Sequence, residues 1–177
     1  METHVEGCVN ANISTNQCWK NRIIMQKLSL EERIQKLEDR EAILNLTFQY
    51  ALNINLGADR SHINTKTLRN IFTKNAIWEC QAMNIREEGI DNIISSIISE
   101  TKSVLFSMHS YSNPVITISR VNAHAHFLFW VTSKIKTNSI NQVFMSQDLQ
   151  YVKTKNGWRI CNVQLYYGDH IKSVSEQ

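Results

Sequence analysis

Four polar residues fall two apart in the segment Phe106–Pro114: Ser107, His109, Tyr111 and Asn113. Side chains alternate faces along a strand, so an extended conformation gathers these four into one row. A polar row on a sheet face that elsewhere carries apolar residues either meets water or lines a cavity that satisfies its hydrogen bonds. His109 is the member with the most chemistry, because an imidazole takes and returns a proton near neutral pH. The bland reading is a histidine satisfied in a polar seam. Asn113 suits a strand end equally well, beside Pro114, the single proline of the chain.

His124 and His126 also share a face if extended, and two histidines at that spacing can chelate zinc. The alternation argues otherwise. Ala123, Ala125, Phe127 and Phe129 make the better inward set, which turns His124, His126, Leu128 and Trp130 outward, and no Asp or Glu at a matching spacing completes a site. No metal is expected. Phe72, Trp78, Phe129 and Trp158 read as core and pocket wall, since aromatics bury large areas. Cys80 and Cys161 read as small core hydrophobes. The four cysteines (Cys8, Cys18, Cys80, Cys161) are far apart and show no close pair, so reduced thiols are expected.

The elements that must position these groups follow from periodicity. Residues 1–28 carry little of it and read as a loosely ordered tail, leaving 29–177 as one domain. Ser29 followed by Glu32 forms a capping box, and a long helix runs from there to about Ile54. Its charge lies in the first half, so the second half is the one to be buried, with Phe48 in its apolar stripe. A second helix is expected over Lys66–Thr73, a strand over Ala76–Cys80, and a third helix from Gly89–Ile90 to about Lys102 with Ile90, Ile93, Ile94, Ile97 and Ile98 on one side. The period then drops to two. Strands are expected over Leu105–Ile118, Ala123–Ser133, Gln142–Lys153 and Trp158 to about Tyr167, with Asn156-Gly157 marking a hairpin. Helices followed by antiparallel strands give an α+β domain whose curved sheet wraps a helix and leaves a conical cavity.

The totals exclude several classes. A net charge of +3, from 19 basic and 16 acidic residues with no basic block, gives no reason to expect nucleic acid. No apolar run reaches the roughly 18 residues of a membrane span, and the start lacks a secretory pattern. A cytoplasmic protein that neither enters nor binds a membrane is expected.

Taken in order, several segments resemble the SnoaL-like branch of the nuclear-transport-factor-two-like superfamily, which includes scytalone dehydratase and bile-acid dehydratases. They are Leu37–Tyr50, Leu68–Glu79, Arg86–Ile93, Met108–Pro114 and Asp148–Ile160. The resemblance implies a cone-shaped α+β barrel, three helices and then strands of a mixed or antiparallel sheet. It also implies a pocket for a small, largely apolar molecule, no cofactor, and a homodimer through the outer sheet face that carries His124 and His126.

Enzymes of this group eliminate water, shift a double bond or cyclise, moving protons with a Tyr, a His and an Asp. By position the tyrosine is Tyr50 and the histidine His109. The aspartate does not carry over: Asn55 stands there, with Asn53 nearby and Asp59 a few residues on. Tyr50 also reads as a helix residue reaching water with its hydroxyl. An amide orients an imidazole without stabilising its cation as a carboxylate does. Two functions follow as expectations. One is a cofactor-independent lyase or isomerase (a dehydratase, double-bond isomerase or cyclase) acting on a polyketide-, steroid- or terpenoid-like molecule of secondary metabolism. Its catalytic pair is His109 and Tyr50, and its ligand contacts are Asn55, Asn113, Trp78, Phe72 and Phe129. The other is a binding or dimerisation module that kept the pocket and lost the acid.

Overall fold

In the computed structural model of the protein, residues 28–57, 62–135 and 139–173 are described; nearly all of the expected tail, and Asp59, lie outside the described residues. The capping box forms as read: Glu32 Oε2 accepts from the Ser29 N–H at 2.8 Å and Ser29 Oγ from the Glu32 N–H at 3.2 Å. Helix α1 spans Leu30–Ile54. From Asp39 on it buries Asp39, Ile43, Thr47, Tyr50, Ala51 and Ile54, a three-to-four spacing that points one stripe inward. Phe48, counted in that stripe, is instead 43% exposed. Its place one residue beyond Thr47 turns it about 100° away from the buried side.

Helix α2 covers Thr65–Ile71 and is capped by Asn64, whose Oδ1 accepts from the Thr67 N–H at 3.0 Å. The helix was expected to reach Thr73. Phe72 is already extended and begins β1 (Phe72–Cys80), because this segment pairs in parallel with β6 (Gly157–Ser173). Strand β2 (Ile85–Glu88) carries no apolar alternation and is not legible in the sequence. It exists because a one-turn 3₁₀ helix over Gln81–Met83, ending in Asn84 at φ +52°, folds the chain back along β1. An Arg86–Glu79 ion pair joins the two strands.

Helix α3 (Ile90–Glu100) buries Ile90, Ile93, Ile94 and Ile97, whereas Ile98, expected on the same side, is 41% exposed because it lies about 100° around the helix from Ile97. Strands β3 (Val104–Ser119), β4 (Asn122–Ile135), β5 (Ile140–Thr154) and β6 follow as an antiparallel meander, each longer than its periodicity indicated. The sheet has the order β2-β1-β6-β5-β4-β3, mixed through the parallel β1–β6 pair and open at β2 and β3. It is therefore a mixed sheet that does not close.

Residues 39–177 form one compact unit, whose core joins the inward faces of α1, α3 and the sheet. In β4 the inward set is Ala123, Ala125, Phe127 and Phe129, all buried. Two polar ties lock α1 to the far end of the sheet. Asp39 Oδ1 accepts from the Trp158 indole N–H at 3.0 Å and from Lys153 Nζ at 2.7 Å. Thr47 Oγ1 donates to the Ile43 carbonyl at 2.8 Å, so at 2.7 Å it accepts from the Tyr151 hydroxyl. Among the described residues, no helix is long and apolar enough to cross a membrane.

Candidate active site

The polar row of β3 faces inward as far as Tyr111. Ser107, His109 and Tyr111 line a cavity of about 290 Å³, with Tyr50 and Ile54 from α1, Ile97 from α3, Trp78 from β1, and Phe129, Met145 and Gln147 from the neighbouring strands. Its rim includes the exposed Met83 and Glu100. The volume lies at the lower end of the range usual for small-molecule sites, and the lining is mainly apolar with a few polar groups.

The row breaks after Ser112, where the β3–β4 register slips and Asn113 takes φ +53° just before Pro114. A bulge of this kind inserts an extra residue and reverses the alternation. Asn113 is consequently exposed and not part of the cavity wall. Phe72 also stays behind the wall, edge-on to the Tyr50 ring at 5.2 Å between centroids. Tyr50, Trp78, His109 and Phe129 are brought together around the cavity.

Asn55 reaches the site through His109. Directly after α1 the chain is stitched to β3 by a backbone bridge, with Leu56 N–H to Ser107 O at 3.2 Å and Ser107 N–H to Leu56 O at 3.0 Å. Ser107 Oγ also accepts from the Leu56 N–H at 3.1 Å. Gly57 follows at φ +71°, a conformation that favours glycine, with Phe106 against the position of a β-carbon at 3.0 Å. The bridge sets Asn55 beside His109, while Asn53 turns away and donates to the Gln49 carbonyl at 2.6 Å.

Asn55 Oδ1 lies 2.9 Å from the backbone nitrogen of His109 and 2.8 Å from its Nδ1. The backbone N–H can only donate, so the atom facing it must be the amide oxygen. That oxygen can only accept, so Nδ1 carries the ring hydrogen. Nε2 is therefore the nitrogen with a free lone pair. The ring is stacked nearly parallel to Phe129, at an interplanar angle of 6°, and burial pushes its pKa down to about 4. At neutral pH His109 is an uncharged base with a fixed tautomer.

Tyr50 is 2% exposed, and its oxygen accepts from the Trp78 indole N–H at 3.0 Å. Burial raises its phenol above the ordinary range, an effect that the Trp78 bond only partly offsets. It stays protonated, and because the Trp78 indole can only donate, the Tyr50 hydroxyl hydrogen is left for another acceptor. Tyr111 packs against Phe127 and Phe129 at 5.4 and 5.2 Å between centroids. Its phenol is also raised well above the usual range, by burial first and then by the neighbouring Tyr50 and Tyr151 oxygens.

Gln147 was missed in the sequence. It is 1% exposed and lines the cavity from β5. The signal was available: Val143, Met145, Leu149 and Tyr151 are its neighbours on the inward face, and a glutamine among them is out of pattern.

On the opposite sheet face, His126 Nδ1 lies 2.6 Å from Asp148 Oδ1, His124 Nε2 is 3.7 Å from the same oxygen, and the Tyr166 hydroxyl donates to Asp148 Oδ2 at 3.2 Å. Asp148 thus orients His126 and lies near His124, a partner not identified from spacing along the chain. Among the described residues no three His, Cys, Asp or Glu side chains are arranged to hold a metal ion.

An α+β fold with helices on one face of an open mixed sheet, enclosing an apolar cavity that holds one oriented imidazole and protonated phenols, is the architecture of a small-molecule pocket protein. The chain belongs to the SnoaL-like domain family, whose model matches residues 35–164. Solved structures share the fold. A LinA-type3 hexachlorocyclohexane dehydrochlorinase from Novosphingobium barchaimii is 12% identical over 81% of this chain and 96% of that one, with a TM-score of 0.71. A proposed scytalone dehydratase from Novosphingobium aromaticivorans is 15% identical over 80% and 91% of the two chains, with a TM-score of 0.68. An NTF2-like protein with a cystatin-like fold from the same organism is 16% identical over 81% and 92%, with a TM-score of 0.64. No curated protein matches the chain. The cone-type α+β fold inferred from the ordered motifs is the one found.

Proposed function

We propose that this protein is a cofactor-independent lyase or isomerase that moves a proton on a small, largely apolar molecule held in the His109–Tyr50 cavity. The observation that carries this reading is the fixed Nδ1–H tautomer of His109, which leaves Nε2 as a base on an apolar wall that also holds a phenol donor. Tyr50 would hydrogen-bond an oxygen of the substrate and so acidify an adjacent C–H. In an elimination, that C–H bond breaks to Nε2, the C=C bond forms and the C–O bond breaks. The departing oxygen takes the proton back from Nε2–H and leaves as water. In an isomerisation the same proton returns to a different carbon.

Because burial disfavours the imidazolium, His109 suits a proton that is taken and returned promptly, not one stored between steps. The likeness to dehydratase and dehydrochlorinase folds supports this class of chemistry. Polyketide-, steroid- and terpenoid-like compounds of secondary metabolism match the apolar lining, and a cytoplasmic setting suits thiols kept reduced.

One observation favours the rival class, a binding module without turnover. The partner of His109 is an amide, and among the described residues the carboxylate that lines the cavity is Glu100 at its exposed rim. The two readings separate in one experiment. Purified protein is examined by native mass spectrometry and extraction, then by thermal shift and turnover against steroid, terpenoid and polyketide-like compounds, with His109→Ala alongside. Turnover that disappears in His109→Ala supports the enzyme. A ligand that stabilises both proteins equally and is recovered unchanged supports the module.

We also propose a homodimer through the outer face of β3–β6. There Leu128 is 46%, Phe144 38% and Val115 65% exposed, around the His126–Asp148 pair. Light scattering of Leu128→Glu, set against a dimeric parent, tests the interface.

A further inference from the structure

Gln147 Oε1 has no hydrogen-bond partner among the described residues, although the residue is 1% exposed and lines the cavity. A buried amide oxygen left open is costly, and folds retain one where something else completes it. Three features say what that is. Gln147 sits between Phe127 of β4 and Leu165 of β6, so the sheet supplies only apolar neighbours beside it. Its amide is bonded on the other side to the Tyr111 hydroxyl. Tyr50 lines the same cavity and accepts from the Trp78 indole N–H, a group that can only donate, so its own hydroxyl hydrogen is left for another acceptor. The wall of one cavity therefore offers an open acceptor, Gln147 Oε1, and a phenol donor, the Tyr50 hydroxyl.

A single ligand group that both gives and takes a hydrogen bond is a hydroxyl. We infer that Gln147 is a specificity residue and that the cavity selects ligands whose buried end carries a phenolic or alcoholic hydroxyl. This deepens the reading of the cavity as the ligand site but does not require turnover. A ketone or ether at that end satisfies Tyr50 and leaves Gln147 open, while a hydrocarbon leaves both open. His109 stands on a different level of the sheet, in the row with Val131 and Val143. Val143 precedes Gln147 by four residues, about 13 Å along the strand, so Gln147 itself stays away from the base and serves recognition of the oxygen that Tyr50 holds.

The test uses binding of 2-naphthol, 2-methoxynaphthalene and naphthalene to the full chain, followed by Trp78-sensitive fluorescence and by thermal shift. The parent is expected to prefer 2-naphthol by about tenfold or more over the other two, the size of effect expected when one buried polar group is left unpaired. Gln147→Leu and the volume-matched Gln147→Met are expected to bind 2-naphthol and 2-methoxynaphthalene within about twofold of each other, since both satisfy Tyr50 and no open acceptor remains to tell them apart. His109→Gln is expected to keep the naphthol preference, which separates this inference from the catalytic one. Equal binding of the three probes by the parent, no binding of 2-naphthol within its solubility, or a preference for 2-naphthol over 2-methoxynaphthalene that survives in either Gln147 variant overturns it.

Discussion

Asn55 Oδ1 accepts two hydrogen bonds from one residue, the backbone N–H and the ring Nδ1–H of His109, at 2.9 and 2.8 Å. Side chain and main chain are fixed by the same oxygen, so the ring cannot flip its tautomer without losing a bond. This arrangement keeps the orientation that a carboxylate would give and omits its charge.

Asn55→Asp should therefore restore the charge without changing the geometry. A carboxylate beside the ring favours the imidazolium, and the His109 midpoint is expected to rise from about 4 by roughly 1–3 pH units. If His109 is the base of a proton transfer, turnover at pH 7 should increase about tenfold as the base approaches working pH. A ¹³C-imidazole NMR titration reads the shift directly; an unmoved midpoint would mean that Asn55 does not control the ring.

Stability should fall on acidification through the His109 window. The folded state holds the imidazole at about 4, below its ordinary value near 6.5, so between these pH values the unfolded chain binds more protons. The stabilisation is complete above about pH 6.5 and is lost as pH falls through about 4, a change on the order of 2–3 kcal/mol. Urea unfolding of the parent and His109→Gln across pH 4–7 checks this, with a flatter profile expected for the variant.

Tyr50→Phe keeps the ring against Phe72 and removes the acceptor of the Trp78 indole. Leaving that N–H unpaired is expected to cost about 1–2 kcal/mol in unfolding free energy and to alter Trp78 emission. If Tyr50 polarises a substrate oxygen, kcat should drop about a hundredfold with little change in KM.

Asp39→Ala leaves the Trp158 indole N–H and Lys153 Nζ without their shared carboxylate. Asp39 is 8% exposed, and loss of this nearly buried group should lower stability by about 3 kcal/mol. Ligand binding in the cavity should be intact at temperatures where the variant is folded. Chemical denaturation and the naphthol titration together distinguish the two effects.

The fold was legible because its signals are local. The Ser29–Glu32 box, the isoleucine stripe of α3, the change of period at β3 and the Asn156-Gly157 turn each act within a few residues. The ordered motifs then placed the chain in its family. Strand β2 escaped because Ile85, Arg86, Glu87 and Glu88 have no pattern of their own and become a strand only by lying along β1. The site divides in the same way. Ser107, His109 and Tyr111 were gathered by alternation alone, which the backbone enforces wherever it stays regular. Asn113 left the row because a bulge changes the parity, and whether a strand bulges depends on its partner's register. Choosing Asn55 over Asn53 as the partner of His109, fixing its tautomer and leaving Gln147 Oε1 open all required residues distant in the chain to meet. Periodicity sets which face a side chain takes, while tertiary contact sets which atom it finds there.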